Sequence, residues 1–83
     1  PTAQMKLDMA LRHLDGAVGE MGEYIGVRDL RKHMGWYLKG MHQATRFRDL
    51  INRAETMDEV TKLLNELREM QGIHAPATLS VNE

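Results

Sequence analysis

Seven of the eleven basic residues in this 83-residue sequence fall between Val27 and Arg53, and four of them, Arg28, Arg31, Lys32 and Lys39, crowd into a dozen positions. Lysine and arginine in such a group offer several N–H donors to phosphate oxygens. On one continuous helix at 100° per residue, Arg28, Lys32 and Lys39 project within about 40° of one another, with Arg31 on the border toward the core. Gly35 lies in the middle of that face, where it costs about 1 kcal/mol relative to alanine. Its missing side chain lets a bulky partner approach the backbone. Trp36 projects opposite the apolar stripe, where it could stack on a base or bury itself against a neighbouring domain; the second use is preferred. His33 borders the stripe and reads as a hydrogen-bonding packing residue. Taken singly, each of these positions is most simply a solvated helix face.

The charge distribution sharpens the pattern. Formal net charge is −1. Residues 27–53 set Arg28, Arg31, Lys32, Lys39, Arg46, Arg48 and Arg53 against only Asp29 and Asp49, while residues 1–26 and 54–83 are both acidic on balance. A basic middle between acidic ends suits a single face that meets a polyanion. It suits equally a fold in which the opposite charges pair with one another.

Other chemistry finds little support. The sequence has no cysteine, which removes disulfides, thiolate metal ligation and a cysteine nucleophile from this segment. His13, His42 and His74 show no ligand spacing with one another or with carboxylates, so no metal site is expected. No phosphate loop, zinc-binding His-Glu pattern or nucleophile elbow occurs, and no catalytic residue is expected. The seven methionines read as core filler. No apolar run is long enough to span a membrane, and the N-terminus lacks a signal-peptide pattern. The chain opens Pro1-Thr2-Ala3-Gln4, which processing or, preferably, excision from a longer protein explains.

Four helices would position these residues. The first, from about Thr2 or Ala3 to Glu20, carries Leu7, Ala10, Leu11, Leu14, Ala17, Val18 and Met21 at three- and four-residue spacing. Gly16, Gly19 and Gly22 weaken its end, and Glu23-Tyr24-Ile25-Gly26 reads as a connector whose Tyr24 and Ile25 tuck into the core. The second spans Val27 to Gly40, with Val27, Leu30, Met34, Tyr37, Leu38 and Met41 inward. Gly40 to Gln43 makes a turn. The third, Ala44 to Ala54, turns Phe47, Leu50, Ile51 and Ala54 inward. The fourth starts at a capping box, Thr56-Met57-Asp58-Glu59, and continues with Val60, Leu63, Leu64, Leu67 and Met70 until Gly72 stops it. An all-α, compact four-helix bundle over residues 1–73 is expected, with a disordered C-terminal tail at 74–83.

The stretch Gly26-Val27-Arg28-Asp29-Leu30-Arg31-Lys32-His33-Met34-Gly35-Trp36-Tyr37-Leu38-Lys39-Gly40, followed by Phe47-Arg48-Asp49-Leu50-Ile51-Asn52, resembles the C-terminal helical domain of bacterial tRNA-dihydrouridine synthases. The likeness runs from about Leu11 to Leu67 and is nearest to the branch historically linked to nitrogen-regulation operons. The resemblance implies a parent enzyme with an N-terminal (β/α)8 barrel that binds FMN, carries a catalytic cysteine and uses NADPH to reduce a tRNA uridine to dihydrouridine. It implies tRNA and that barrel as partners, a monomer and a cytoplasmic setting. Carried onto this chain, it makes Arg28, Arg31, Lys32, His33 and Lys39 the tRNA-binding residues, with Gly35, Trp36, Arg46 and Arg48 as further phosphate or domain contacts. The barrel, cysteine and flavin site are not within these 83 residues.

Two uses of the chain therefore compete. In the favoured one, the second and third helices present cations to tRNA phosphates. In the other, Trp36, Tyr37 and the methionines dock on a neighbouring domain and the cations bridge to acidic neighbours. A reader of double-stranded DNA is a weaker third, since no polar set is aimed at base edges.

Overall fold

One glycine sets the path of the first thirty residues. In a computed structural model, which describes residues 1–73, helix α1 runs Ala3–Arg31 with Thr2 accepting from the Met5 amide as its N-cap. Gly22, at φ 86° and ψ 167°, is non-helical inside it. An L-residue with a side chain rarely adopts that conformation, and glycine does so without a clash. Helix resumes at once, and its second arm folds back on the first. On a straight helix, residues eight apart are separated by about 12 Å. Here a Cβ built on Gly26 would lie 2.6 Å from the backbone nitrogen of Val18. The two arms cross at that glycine in backbone contact.

This kink corrects three expectations. No connector occupies 23–26, because Gly22 alone makes the turn and those residues are helical. Tyr24 and Ile25 do not tuck into the core but are exposed. Gly26, Val27 and Leu30 take the inward positions of the second arm, which leaves Tyr24 and Ile25 on its outer side. Met21, also expected inside, is exposed beside the kink.

The second expected helix is also interrupted. The amides of Lys32 and His33 bond back three residues, to the carbonyls of Asp29 and Leu30, which tightens and ends the turn. His33 lies at φ −103°, ψ 4°, and a single turn, α2 (Met34–Tyr37), follows. Val27, Leu30, Met34, Tyr37, Leu38 and Met41 are all buried as their spacing predicts. The pattern identified the buried side chains correctly, but the rod it implied is two pieces.

Helix α3 (Ala44–Asn52) buries Phe47 and Ile51. Helix α4 (Met57–Met70) buries Val60, Leu64 and Leu67 and begins with the expected capping box. It ends in a Schellman arrangement: the Ile73 amide bonds to the Arg68 carbonyl and that of Gly72, at φ 76°, to Glu69. Helix α4 packs on α1 and α3, so the described residues form an all-α bundle of four helices without a strand. The expected tail at 74–83 lies outside the described residues. None of the described helices is long and apolar enough to cross a membrane.

Candidate nucleic-acid interface

The cations of the basic segment divide at the break after Arg31. Arg28, Arg31 and Lys32 close the second arm of α1 and, with Asn52 at the end of α3, line one surface depression. Lys39 lines another, with Pro1, Ala3, Lys6, Gly40, Met41 and Gln71. The projected alignment of Arg28, Lys32 and Lys39 on one face is therefore corrected. Two residues fall between α1 and α2, and Lys39 lies beyond the end of the second piece.

Each cation of the corner is held differently. The Arg28 guanidinium carbon sits 3.6 Å from the centre of the Tyr24 ring, and its Nη1 donates to the Tyr24 carbonyl at 3.1 Å. Arg31 donates to the Ala54 carbonyl at 3.1 Å, which ties the arm to the end of α3. Lys32 is exposed. Arg53 pairs with Asp49, Arg68 with Asp8 and His13 with Asp29. None of these pairs among the described residues involves Arg28, Arg31, Lys32, Lys39, Arg46 or Arg48.

A polar clamp underlies the corner. His13 on the first arm bonds through Nε2 to the Asp29 carboxylate and through Nδ1 to the Tyr37 hydroxyl, both at 2.9 Å. Asp29 is held below its ordinary pKa of 3.8, first by the His13 hydrogen bond and then by the charges of His13, His33 and Lys32. An ionised carboxylate only accepts, so His13 donates from Nε2 to Asp29, while Nδ1 and the Tyr37 hydroxyl share the second hydrogen bond. Burial raises the Tyr37 pKa, which keeps that hydroxyl protonated. His33 donates from Nδ1 to the Asp29 carbonyl at 3.0 Å, and its ring centre lies 4.8 Å from that of His13. His33 is thus both exposed at the corner and part of the clamp.

Sequence spacing had separated His13 from every carboxylate. The structure instead gathers ligand-type atoms of His13, Asp29 and His33 within 4.8 Å of one another. The kink alone brings residue 13 onto residue 29, and no local signal encodes that approach. Both ring nitrogens of His13 are already committed, so the group works as a hydrogen-bonded clamp between the arms.

The remaining candidates form a second group. Trp36 is half exposed, as expected, with Lys6 Nζ 5.2 Å from its ring centre and Tyr37 edge-on to it at 5.3 Å. Lys6 also donates to the Lys39 carbonyl at 3.2 Å. Gly35 has ordinary backbone, and a side chain there would meet only the Arg48 guanidinium, at 3.9 Å. Arg46 is exposed and donates to Gln43. Lys6, Tyr24 and Asn52 were not anticipated. Only for Tyr24 did the sequence carry a signal, its i, i+4 spacing to Arg28.

A further depression, lined by Leu50, Arg53, Ala54, Glu59, Lys62, Leu63 and Glu66, sets two carboxylates against two cations.

Residues 1–73 match the family model described as dihydrouridine synthase. The chain is 36% identical over 80 residues to a tRNA-dihydrouridine synthase B of Xanthomonas axonopodis pv. citri (strain 306), which covers 96% of this chain and 24% of the relative. It is 46% identical over 52 residues to a tRNA-dihydrouridine synthase B of Vibrio parahaemolyticus serotype O3:K6 (strain RIMD 2210633), 63% of this chain and 16% of that one. A protein of Mycobacterium leprae (strain TN) named "Probable tRNA-dihydrouridine synthase" is 37% identical over 67 residues, 81% of this chain and 17% of its own length. The chain thus spans a quarter or less of these curated relatives. No solved structure gives a significant match.

Proposed function

Because this chain belongs to the dihydrouridine synthase family, we propose that it is the C-terminal tRNA-gripping domain of a longer flavin-dependent enzyme that reduces uridine to dihydrouridine in tRNA. FMN, NADPH and the catalytic cysteine belong, in this reading, to a barrel elsewhere in that protein, and the setting is a cytoplasmic monomer. The observation that supports it is the corner itself: Arg28, Arg31 and Lys32 share one depression with Asn52, and no carboxylate lines it. Phosphate oxygens fit such a place, since Arg28 and Arg31 each keep donors beyond the one given to a carbonyl and Lys32 is exposed. Lys39 and Lys6, with His33 exposed between the groups, would extend the contact along the backbone of the RNA.

The test is a titration of labelled unmodified tRNA with this chain across a range of salt concentrations. Binding should weaken linearly in log salt, at about 0.9 per neutralised phosphate. The double variant Arg28→Glu/Lys32→Glu should lose about tenfold or more in affinity while keeping its helical circular dichroism at the assay temperature, because both side chains reach solvent. Unchanged affinity in that variant would remove the corner from the contact.

Trp36 supports a second reading, in which the chain docks on the rest of the parent. A half-exposed tryptophan beside Tyr37 is an efficient anchor for another protein surface. The two readings use different sides of the break and are compatible.

A further inference from the structure

Tyr24 has no role in the contact described so far, yet it is 67% exposed at the edge of the cationic corner. Its ring is held in an unusual state for a surface tyrosine. The Arg28 guanidinium lies 3.6 Å from the ring centre and is pinned there by its bond to the Tyr24 carbonyl. One face is covered by that cation, so the exposure must come from the other face and the edge. Ile25 and Met21, near Tyr24 in sequence on either side of the Gly22 kink, are 51% and 41% exposed. Tyr24, Arg28 and Lys32 follow one another at four-residue steps, about 6 Å each along the arm. A step of that size suits a stacked base beside its own phosphate.

We propose that the open face of Tyr24 is a stacking platform for one unpaired nucleobase of the bound RNA, whose flanking phosphate enters the depression lined by Arg28, Arg31, Lys32 and Asn52. The proposal deepens the RNA-contact reading and rests on it. Every base has a π-face, so the platform selects unpaired over paired nucleotides and not one base over another. The guanidinium on the far face strengthens the stack and supplies charge to the same nucleotide. A protein surface is the less suitable occupant, because the adjoining depression is lined by three cations and no carboxylate.

The experiment uses this chain and two RNAs of equal length, a hairpin with 2-aminopurine in its loop and a duplex with the same base paired. The unaltered chain should change the loop fluorescence on binding and leave the paired base silent. Tyr24→Ala should lose about tenfold in loop affinity together with the fluorescence change, at unchanged duplex affinity and unchanged salt slope. Tyr24→Phe should behave as the unaltered chain. Circular dichroism melts should coincide for all three proteins, since the side chain is largely in solvent. Loop binding and fluorescence unaffected by Tyr24→Ala would overturn the platform. If Arg28→Glu/Lys32→Glu still weakened both RNAs in that case, the cationic contact would survive without it. Absence of binding to either RNA by the unaltered chain would overturn both readings. Loss of association with the remainder of the full-length protein, without any effect on RNA, would make Tyr24 a domain contact and overturn the platform.

Discussion

Arg68 and the Arg28–Lys32 corner are built from the same kind of residue and do opposite work. Arg68 is buried between α4 and α1 with 9% of its side chain exposed, and it donates to Asp8 at 2.8 Å across sixty residues of sequence. The corner cations reach solvent and bond only to carbonyls or lie over a ring. A buried guanidinium must have its carboxylate, because an isolated charge in that place would be severely underhydrated. An exposed one needs no partner and gains little from having one. Charge counting treats the two as equal. Only the path of the chain decides which cation is structural and which is available to a ligand.

The largest effect should come from removing the ground on which the corner stands. Gly26→Ala places a methyl group 2.6–2.8 Å from the backbone of Ala17 and Val18, atoms that cannot rotate away. The arms would have to separate, at a cost of about 3 kcal/mol or more, although alanine is the better helix former. Gly19→Ala is the control, since nothing lies within 4 Å of its Cβ and its backbone is ordinary helix. It should instead gain about 0.5–1 kcal/mol. Thermal melts that move in the same direction for both variants would contradict the crossing at Gly26.

Next comes the buried pair. Asp8→Ala leaves Arg68 uncompensated and should cost about 2 kcal/mol in chemical denaturation. Asp8 is itself 45% exposed, which keeps the loss below that of a fully buried pair. Asp49→Ala breaks a 3.7 Å pair to Arg53 whose side chains are 68–70% exposed, and should cost less than about 1 kcal/mol. Equal losses would mean that burial does not separate the two classes of cation.

Within the exposed class, the break between α1 and α2 makes a finer prediction. Lys32→Ala should lower the salt slope of tRNA binding by about one, as one phosphate contact is lost. Lys39→Ala, in the other depression, should lower it by less. A larger effect at Lys39 would move the centre of the contact to the Lys6–Trp36 side.

Much of this was legible in the sequence, and the failures share one cause. Spacing identified Leu7, Leu14, Leu30, Met34, Phe47 and Leu67 as core because burial follows local periodicity. The Thr56–Glu59 cap was legible for the same reason. Misplacement began at Gly22. Three glycines in a row of seven residues announced a weak helix, but only the conformation at one of them turns the chain back. Once it does, Gly26 becomes the inward residue, Tyr24 and Ile25 turn outward, and His13 meets Asp29. Likewise, the apolar stripe from Val27 to Met41 is satisfied equally by one helix or by two pieces joined at His33. The outward cations depend on which occurs, and Lys39 was misaligned for that reason.

Acid gives the smallest effect and a direct reading of the clamp. Asp29 and Glu59 are both held below their ordinary values of 3.8 and 4.5, Asp29 first by His13 and Glu59 first by the amides of Glu55 and Thr56. A carboxylate with a lowered folded-state pKa binds protons more weakly in the native protein than in the unfolded chain. Its stabilisation is complete above the ordinary value and disappears as the pH falls through the lowered one. Melting temperature should therefore hold steady at neutral pH and fall through the carboxylate range. Asp29→Asn should flatten part of that fall and also loosen the arms, because the amide cannot replace the charge facing His13, His33 and Lys32. Glu59→Gln should flatten another part while leaving the corner intact. If only Asp29→Asn also weakened tRNA binding at neutral pH, the clamp would be what positions the corner, since both carboxylates contribute to stability and only one lies beneath the cations.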